Sequence, residues 1–280
     1  MPAADLFSLT DVHYAYRGVT ALDGISLTIP EGRRSVLLGA NGSGKSTLLR
    51  VLAALYFAER GEARAFGQPL TEAAFADDAQ ALAFRRRVGL VFQNPEVQLF
   101  NPTVFDELAF GPLQLGWEKQ RVRDAVAQTL QVMELEPLRD RSPHHLSGGE
   151  KKRVALASVL ITDPDVLLLD EPLGGLDPKS QSQIIDLLVG WRGGGKTVIT
   201  ATHELGLITD IADEAYVLHQ GTLLARAAPA DVLADMPLLT LARLVHAHRH
   251  IHADGSVHAH PHIHGREHPH PLSSDGDRAG

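Results

Sequence analysis

The stretch Gly39-Ala40-Asn41-Gly42-Ser43-Gly44-Lys45-Ser46-Thr47 constrains this chain more than any other. A glycine, four residues and then Gly-Lys-Ser is the Walker A spacing. The chemistry requires these residue types. Glycines let the backbone curl so that its N–H groups face phosphate oxygens without a side chain in the way. Lys45 brings a compact positive charge to the β- and γ-phosphates, and Ser46 offers a hydroxyl to Mg²⁺. The flanks agree with this reading. Arg34 to Gly39 reads as a short buried strand and Ser46 to Leu55 as a helix, whose N-terminal dipole favours an anion. Gly39, Asn41, Gly42, Ser43, Gly44, Lys45, Ser46 and Thr47 are therefore candidate nucleotide-binding residues.

Composition narrows the class. The 280 residues suffice for one large α/β domain with an appendage or two modest domains. A formal charge of −8 gives no global basic field, so no nucleic-acid partner is expected. With no cysteine, disulfides and thiolate metal sites are impossible. Residues 1–7 lack a basic segment followed by an apolar run, so no signal peptide is expected. No stretch reaches the roughly 18 apolar residues of a membrane helix, so any membrane role comes through partners.

Other strand ends carry further chemistry. Leu6–Tyr16 and Ile25–Ile29 read as strands, with Gly18 and Asp23-Gly24 as turns. Tyr16 is either an adenine-stacking ring or an ordinary half-buried strand aromatic. Val88–Phe92 is an apolar strand ending at Gln93, and Asn94-Pro95 breaks it. Gln93 can thus reach a metal or an attacking water from a loop. Thr103–Leu113 and Glu118–Glu134 are helical by period, separated by Gly111-Pro112 and Gly116, and suggest a helical subdomain over about 94–163. Ser147-Gly148-Gly149 opens a helix and presents a hydroxyl, free N–H groups and a positive dipole end. The following Lys151-Lys152-Arg153 reads as a solvated helix face. Asp165–Pro172 is a buried strand with Asp170 and Glu171 at its C-terminal tip, where open α/β sheets bind ligands. Asp170 suits the Mg²⁺ shell, and Glu171 is placed to orient or deprotonate water. Lys196–Ala201 is another buried strand, and His203 just beyond it falls at the same sheet edge. His203 therefore reads as a γ-phosphate contact.

In this order the motifs resemble the ATP-binding-cassette (ABC) ATPases over roughly residues 5–235. The resemblance implies a P-loop α/β fold with a RecA-like core, an antiparallel β subdomain and an inserted α-helical signature subdomain. It implies ATP and Mg²⁺ as ligands, Tyr16 on adenine, Gln93 as the Q-loop glutamine and a Mg²⁺ ligand beside Ser46 and Asp170. It further implies Glu171 as catalytic glutamate, Asp177 as the D-loop aspartate and His203 as the switch histidine, with Lys45 catalytic as well. Ser147, Gly148 and Gly149 would bind ATP held by the other subunit of a homodimer. Two departures stand out: Glu150 replaces the commoner glutamine, and Gly174-Gly175 replaces a small polar pair. The segment Val91–Phe100, continued by Thr103–Gly111, is similar to the ATPases of energy-coupling-factor importers. Through it the chain would meet integral-membrane subunits at the cytoplasmic face of the cell membrane. Glu96, Asp106 and Glu107 give that region an acidic character suited to a basic helix.

The end of the chain differs in composition. Of 15 histidines, ten lie at His246, His248, His250, His252, His258, His260, His262, His264, His268 and His270. With few apolar residues and interleaved Pro, Gly and Ser, residues 241–280 read as a disordered tail after a 5–240 ATPase domain. Neutral imidazoles suit Ni²⁺ and Co²⁺ among other ions, so the first eight of these are candidate ligands. The combined expectation is an ATPase powering a cobalt or nickel importer. The alternatives are a vitamin importer with an incidental tail and a soluble ABC ATPase.

Overall fold

The computed structural model describes residues 5–190, 195–251 and 257–262. Strands β1 (Asp5–Tyr16) and β2 (Val19–Pro30) open the chain. Then come β3 (Arg34–Leu38) and α1 (Lys45–Leu52), with the phosphate-loop motif between them. After β4 (Arg60–Ala65), β5 (Gln68–Pro69), α2 (Glu72–Phe75) and α3 (Asp78–Arg87), the chain re-enters the core as β6 (Val88–Val91). Helices α4 (Val104–Gln114), α5 (Lys119–Val132) and α6 (Gly148–Leu160) follow without an intervening strand. The remainder alternates: β7 (Val166–Asp170), α7 (Pro178–Gly190), β8 (Thr197–Thr202), α8 (Ile208–Ile211), β9 (Glu214–His219) and β10 (Thr222–Ala227). It closes with α9 (Pro229–Ala234), α10 (Met236–Leu241), β11 (His246–Ile251) and β12 (Val257–His262).

Two sheets share one apolar core. The first is antiparallel, ordered β2-β1-β4-β5; the second is ordered β10-β9-β3-β8-β7-β6. From β9 to β6 the second sheet is parallel, with β10 antiparallel at its edge. Every residue of β3, β7 and β8 is buried, which is why these segments read as near-continuous apolar runs. Phe7 and Ile25 of the first sheet pack in one cluster with Leu48, Leu168 and Tyr216. A second cluster joins Val104, Leu108, Val126 and Val154 of the helical segment to Leu167, Leu169 and Val198 of the parallel sheet.

Register positions the chemistry. Leu38 pairs with Thr202 and Val217, Asp170 with Ala201, and Val91 with Leu169. The C-terminal ends of four parallel strands are thus level, and the residues just past them fall along one edge.

Helix α4 agrees with the expected Thr103–Leu113 and runs through Gly111 and Pro112. Pro112 lies in the last turn, and the Pro112 carbonyl accepts from Trp117 N (3.0 Å) as the helix closes. A proline there has no N–H to give the carbonyl four residues earlier. Two expectations need correction. The core reaches further than composition suggests: Ala242, Leu244 and Val245 are buried with Val36, Leu38 and Val217. Finally, residues 246–251 and 257–262 form an antiparallel pair where disorder was expected. His252, His264, His268 and His270 lie outside the described residues.

One buried charge fixes where the parallel sheet begins. Arg34 is 2% exposed; it donates through Nη2 to Asp213 Oδ1 (2.7 Å) and through Nη1 to the Asp210 carbonyl (2.9 Å). The Arg34 backbone N–H also donates to Asp213 Oδ2 (3.1 Å). Removing one partner of a buried ion pair strands the other, at about 3–5 kcal/mol. Asp213→Ala is therefore expected to lower the melting temperature by on the order of 10 °C, read by thermal circular dichroism.

Candidate functional site

The phosphate loop is shaped by close approaches that only glycine permits. A Cβ on Gly39 would lie 2.3 Å from Ser43 Oγ and 2.5 Å from the Leu218 carbonyl. Gly44 has φ +104°, and a Cβ there would meet the Ala21 carbonyl at 2.7 Å. The loop is also tied to both sheets. Gly221 N donates to the Ser43 carbonyl (3.0 Å), and Asp23 N donates to the Gly221 carbonyl (2.8 Å). Lys45 Nζ donates to the carbonyls of Gly39 (2.8 Å) and Ala40 (3.2 Å).

At the neighbouring strand end, Asp170 and Glu171 are both buried. Ser46 Oγ donates to Asp170 Oδ1 at 2.9 Å, so the two expected Mg²⁺ ligands are side by side. Glu171 has φ +47° and donates its N–H to the Ala201 carbonyl (2.9 Å). Its carboxylate accepts from Thr202 Oγ1 (3.2 Å), lies 2.9 Å from His203 Nδ1 and is 3.6 Å from Lys45 Nζ. Burial pushes the Lys45 ammonium below its ordinary value, with Glu171 opposing. Burial likewise raises the Asp170 carboxyl, against the Ser46 hydrogen bond. An anion beside Lys45 and a cation beside Asp170 would each restore the charged form. Two hard oxygen donors 2.9 Å apart, beside a glycine cradle, fit a Mg²⁺–nucleotide. Gln93 is exposed in the turn after β6, and Tyr16 is 53% exposed at the end of β1, open to a stacking partner.

Ser147 caps α6 in a reciprocal box: Glu150 N donates to Ser147 Oγ (3.3 Å) and Ser147 N to Glu150 Oε2 (2.8 Å). Those bonds, the backbone one first, hold the Glu150 carboxyl below the usual carboxylate value. Glutamate at this position thus has a structural reason. A Cβ on Gly149 would approach Ser180 Oγ at 2.7 Å and Asp177 Oδ2 at 3.6 Å, so the helix start lies beside the Asp177 turn. Asp177 caps α7, accepting from Ser180 N (3.1 Å) and Ser180 Oγ (2.6 Å).

The basic run after Ser147 is not a solvated face. Lys151 pairs with Glu96 at 2.7 Å, and Lys152 is half-buried and donates to the carbonyls of Glu171 (3.2 Å) and Gly174. The acidic reading of the segment after Gln93 also fails. Glu107 is 3% exposed and accepts from Phe100 N and Asn101 N, both at 2.9 Å. Asp106 accepts from Thr103 Oγ1 (2.6 Å). What faces outward is apolar: Val97, Phe100, Phe110 and Leu113, with the two phenylalanine rings edge-on at 5.0 Å.

Three contributors were missed in the sequence. Thr202 lies between the expected strand end at Ala201 and His203 and was not singled out. Lys152 leaves no local signal, because its acceptors are carbonyls 19 and 22 positions away. Gln98 sits inside the segment that carries the importer resemblance. Its Oε1 accepts from Phe92 N (3.1 Å), and its Nε2 donates to the Ala155 carbonyl (2.7 Å) and Ser158 Oγ (3.1 Å).

A model of the ABC transporter family matches residues 22–174. The chain is 59% identical over 242 residues to the nickel import ATP-binding protein NikO of Rhodobacter capsulatus, covering 85% of this chain and 95% of that one. The chain belongs to the ABC transporter family. It is 45% identical to the energy-coupling factor transporter ATP-binding protein EcfA of Carboxydothermus hydrogenoformans, over 79% of this chain and 80% of that one. Its fold matches cbiO1 of Clostridium perfringens, part of the ABC transporter complex cbiONQ, with TM-score 0.71 and 33% identity. That match covers 86% of this chain and 95% of the other. It also matches the dimeric, post-hydrolysis ATP-binding cassette MJ0796 bound to ADP and Pi, with TM-score 0.72 and 26% identity over 80% of this chain and 98% of that one. Fold and family are those of an ABC-type transport ATPase.

Within this cassette Gln98 closes the loop that carries Gln93 and fastens it to α6. Gln98→Ala leaves the Phe92 N–H without its acceptor, at about 1–3 kcal/mol. The expected result is a melting temperature lower by about 2–10 °C, measured by scanning calorimetry.

Proposed function

We propose that this chain is the ATP-hydrolysing subunit of a nickel or cobalt importer of the energy-coupling-factor type. The observation that carries the catalytic part is the Glu171 carboxylate, held by Thr202 and His203 and 3.6 Å from Lys45, next to the Ser46–Asp170 pair. Tyr16 stacks on adenine, and the backbone of 39–47 with Lys45 binds the phosphates. Mg²⁺ held by Ser46 and Asp170, with Gln93 approaching from its loop, supplies charge neutralisation at the phosphate oxygens. Glu171 orients the attacking water and takes its proton, while His203 holds that carboxylate and contacts the γ-phosphate.

The signature residues Ser147, Gly148 and Gly149 serve a second copy of the chain. Ser147 and Gly148 are exposed at a helix N-terminus, which suits an anion presented from outside. The dimeric relative, bound to ADP and Pi, supports a homodimer, and in this reading two nucleotides lie between its subunits. Membrane subunits dock on the Val97, Phe100, Phe110 and Leu113 surface, beside the segment that Gln98 and Lys151 fasten to α6. In this reading the chain is a peripheral subunit at the cytoplasmic face; among the described residues no helix is long and apolar enough to cross a membrane.

Nickel or cobalt as the cargo rests on the 59% identical nickel import relative and the histidine-rich end of the chain. The same reading makes those histidines, His246 to His264, ligands for ions of the cargo's class. The EcfA relative's name gives no substrate, and a vitamin-type importer is kept as the second reading.

Glu171→Gln is expected to lower hydrolysis by about 10²–10⁴-fold while a fluorescent ATP analogue still binds. With the whole transporter expressed, elemental mass spectrometry should show less nickel or cobalt in Glu171→Gln cells than in wild type. Equal contents of both metals would transfer the ATPase to the vitamin-type reading. Truncation after Val245, which packs in the third apolar cluster, should leave hydrolysis intact and remove most Ni²⁺ binding in equilibrium dialysis.

A further inference from the structure

The turn that follows β7 carries Glu171 and holds itself weakly. Glu171 has φ +47°, a conformation that persists in a non-glycine residue only where the surroundings fix it. The residues after it bond among themselves at long distances. Gly174 N donates to the Glu171 carbonyl at 3.4 Å and Leu176 N to the Leu173 carbonyl at 3.3 Å, against about 2.9–3.0 Å for an ordinary N–H···O bond. Gln181 Nε2 reaches the Leu173 carbonyl, also at 3.3 Å. Past the buried Leu173 the turn has little packing of its own. A Cβ on Gly174 would find nothing closer than 3.7 Å, and one on Gly175, at φ +72°, nothing within 4 Å.

Lys152 holds this turn from outside. It lies three residues past Gly149 and four past Gly148, on the same side of α6. A Cβ on Gly149 would meet Ser180 Oγ at 2.7 Å, so that side of the helix faces the turn and the start of α7. The Lys152 ammonium donates to the Glu171 carbonyl (3.2 Å) and to the Gly174 carbonyl, bridging the two ends of the turn. A charged donor makes the stronger class of hydrogen bond. Burial pushes this ammonium below its ordinary value, with the Glu171 and Glu204 carboxylates opposing.

The consequence for Glu171 is geometric. A residue has two soft backbone dihedrals, φ and ψ. The Ala201 carbonyl holds the N–H on one side of the Glu171 Cα, and Lys152 holds the carbonyl on the other. With both flanking peptides pinned, the direction in which the side chain leaves the backbone is set. Thr202 and His203 then hold only its far end.

We propose that Lys152 is a positioning residue for hydrolysis, which aims the Glu171 carboxylate by fixing the carbonyl side of its backbone from α6. The inference rests on the reading of Glu171 as the group that activates water, and adds the residue that sets its direction. Ser147 to Gly149 open the same helix, so a shift of α6 reaches Glu171 through one side chain.

The test is steady-state MgATP hydrolysis by the full chain, with the melting temperature of each variant measured in parallel. Lys152→Met removes the donor and keeps an unbranched side chain. It should lower kcat about 10–100-fold, the effect of a misplaced reacting group, with KM for ATP unchanged. Lys152→Arg retains a cation with several donors and should keep most of the rate. The decisive comparison places Lys152→Met in the Glu171→Gln background. There it should cost no further rate, because residues that act as a unit are not additive. An equal proportional loss in both backgrounds, a raised KM at unchanged kcat, or a lower melting temperature with wild-type kcat would overturn the role and leave Lys152 as a structural tie. In each of those cases the reading of Glu171 would stand. Wild-type hydrolysis by Glu171→Gln alone would remove that reading, and the inference with it.

Discussion

A buried carboxylate has to be held from several sides, and Glu171 is held by nearly everything around it. Its backbone bonds to β8, its side chain meets Thr202 and His203, and Lys45 reaches it from the phosphate loop. An unpaired charge at this depth would be costly. The residue also sits at a positive φ, which few non-glycine side chains adopt. Strand order, register and the left-handed backbone at Glu171 together bring one oxygen within reach of a lysine 126 positions earlier in the chain. The level strand ends of the parallel sheet are what make such a meeting possible.

The helical segment is coupled to that centre by few but well-defined bonds. Lys152 reaches from α6 to the Glu171 and Gly174 carbonyls, and Gln98 joins the turn after β6 to the middle of α6. The outward Phe100–Phe110 pair lies on the same subdomain. A load applied at those rings therefore has a short bonded route to the strand tip, with no need for a long chain of packed side chains. The outward rings and Glu171 are far apart in sequence, and α6 spans between their segments.

Much of this was legible in the sequence because the residues concerned act through local rules. Gly39 and Gly44 are needed where a Cβ would collide, and β3, β7 and β8 are apolar because both faces of the sheet are covered. What stayed hidden depends on long-range contact. Nothing near Glu107 announces that it turns inward to satisfy Phe100 and Asn101, so it reads as surface charge. Lys151 and Lys152 look solvated until their partners arrive from distant segments. The alternation of histidine with apolar residues after Val245 was visible as spacing. The pairing of 246–251 with 257–262 was not.

The link between Ser43, Gly221 and Asp23 has a practical side. The β9–β10 turn is two residues, Gln220 and Gly221, with φ of 46° and 80°. Such a hairpin tip is ordinarily the place to insert a tag, a fluorophore or a foreign loop. In this chain the tip is bonded to the backbone of the phosphate loop on one side and to the antiparallel sheet on the other. It is therefore a poor attachment point and a good reporter. A probe tolerated there would register loading of the nucleotide pocket, and engineering meant to leave catalysis alone belongs elsewhere on the surface.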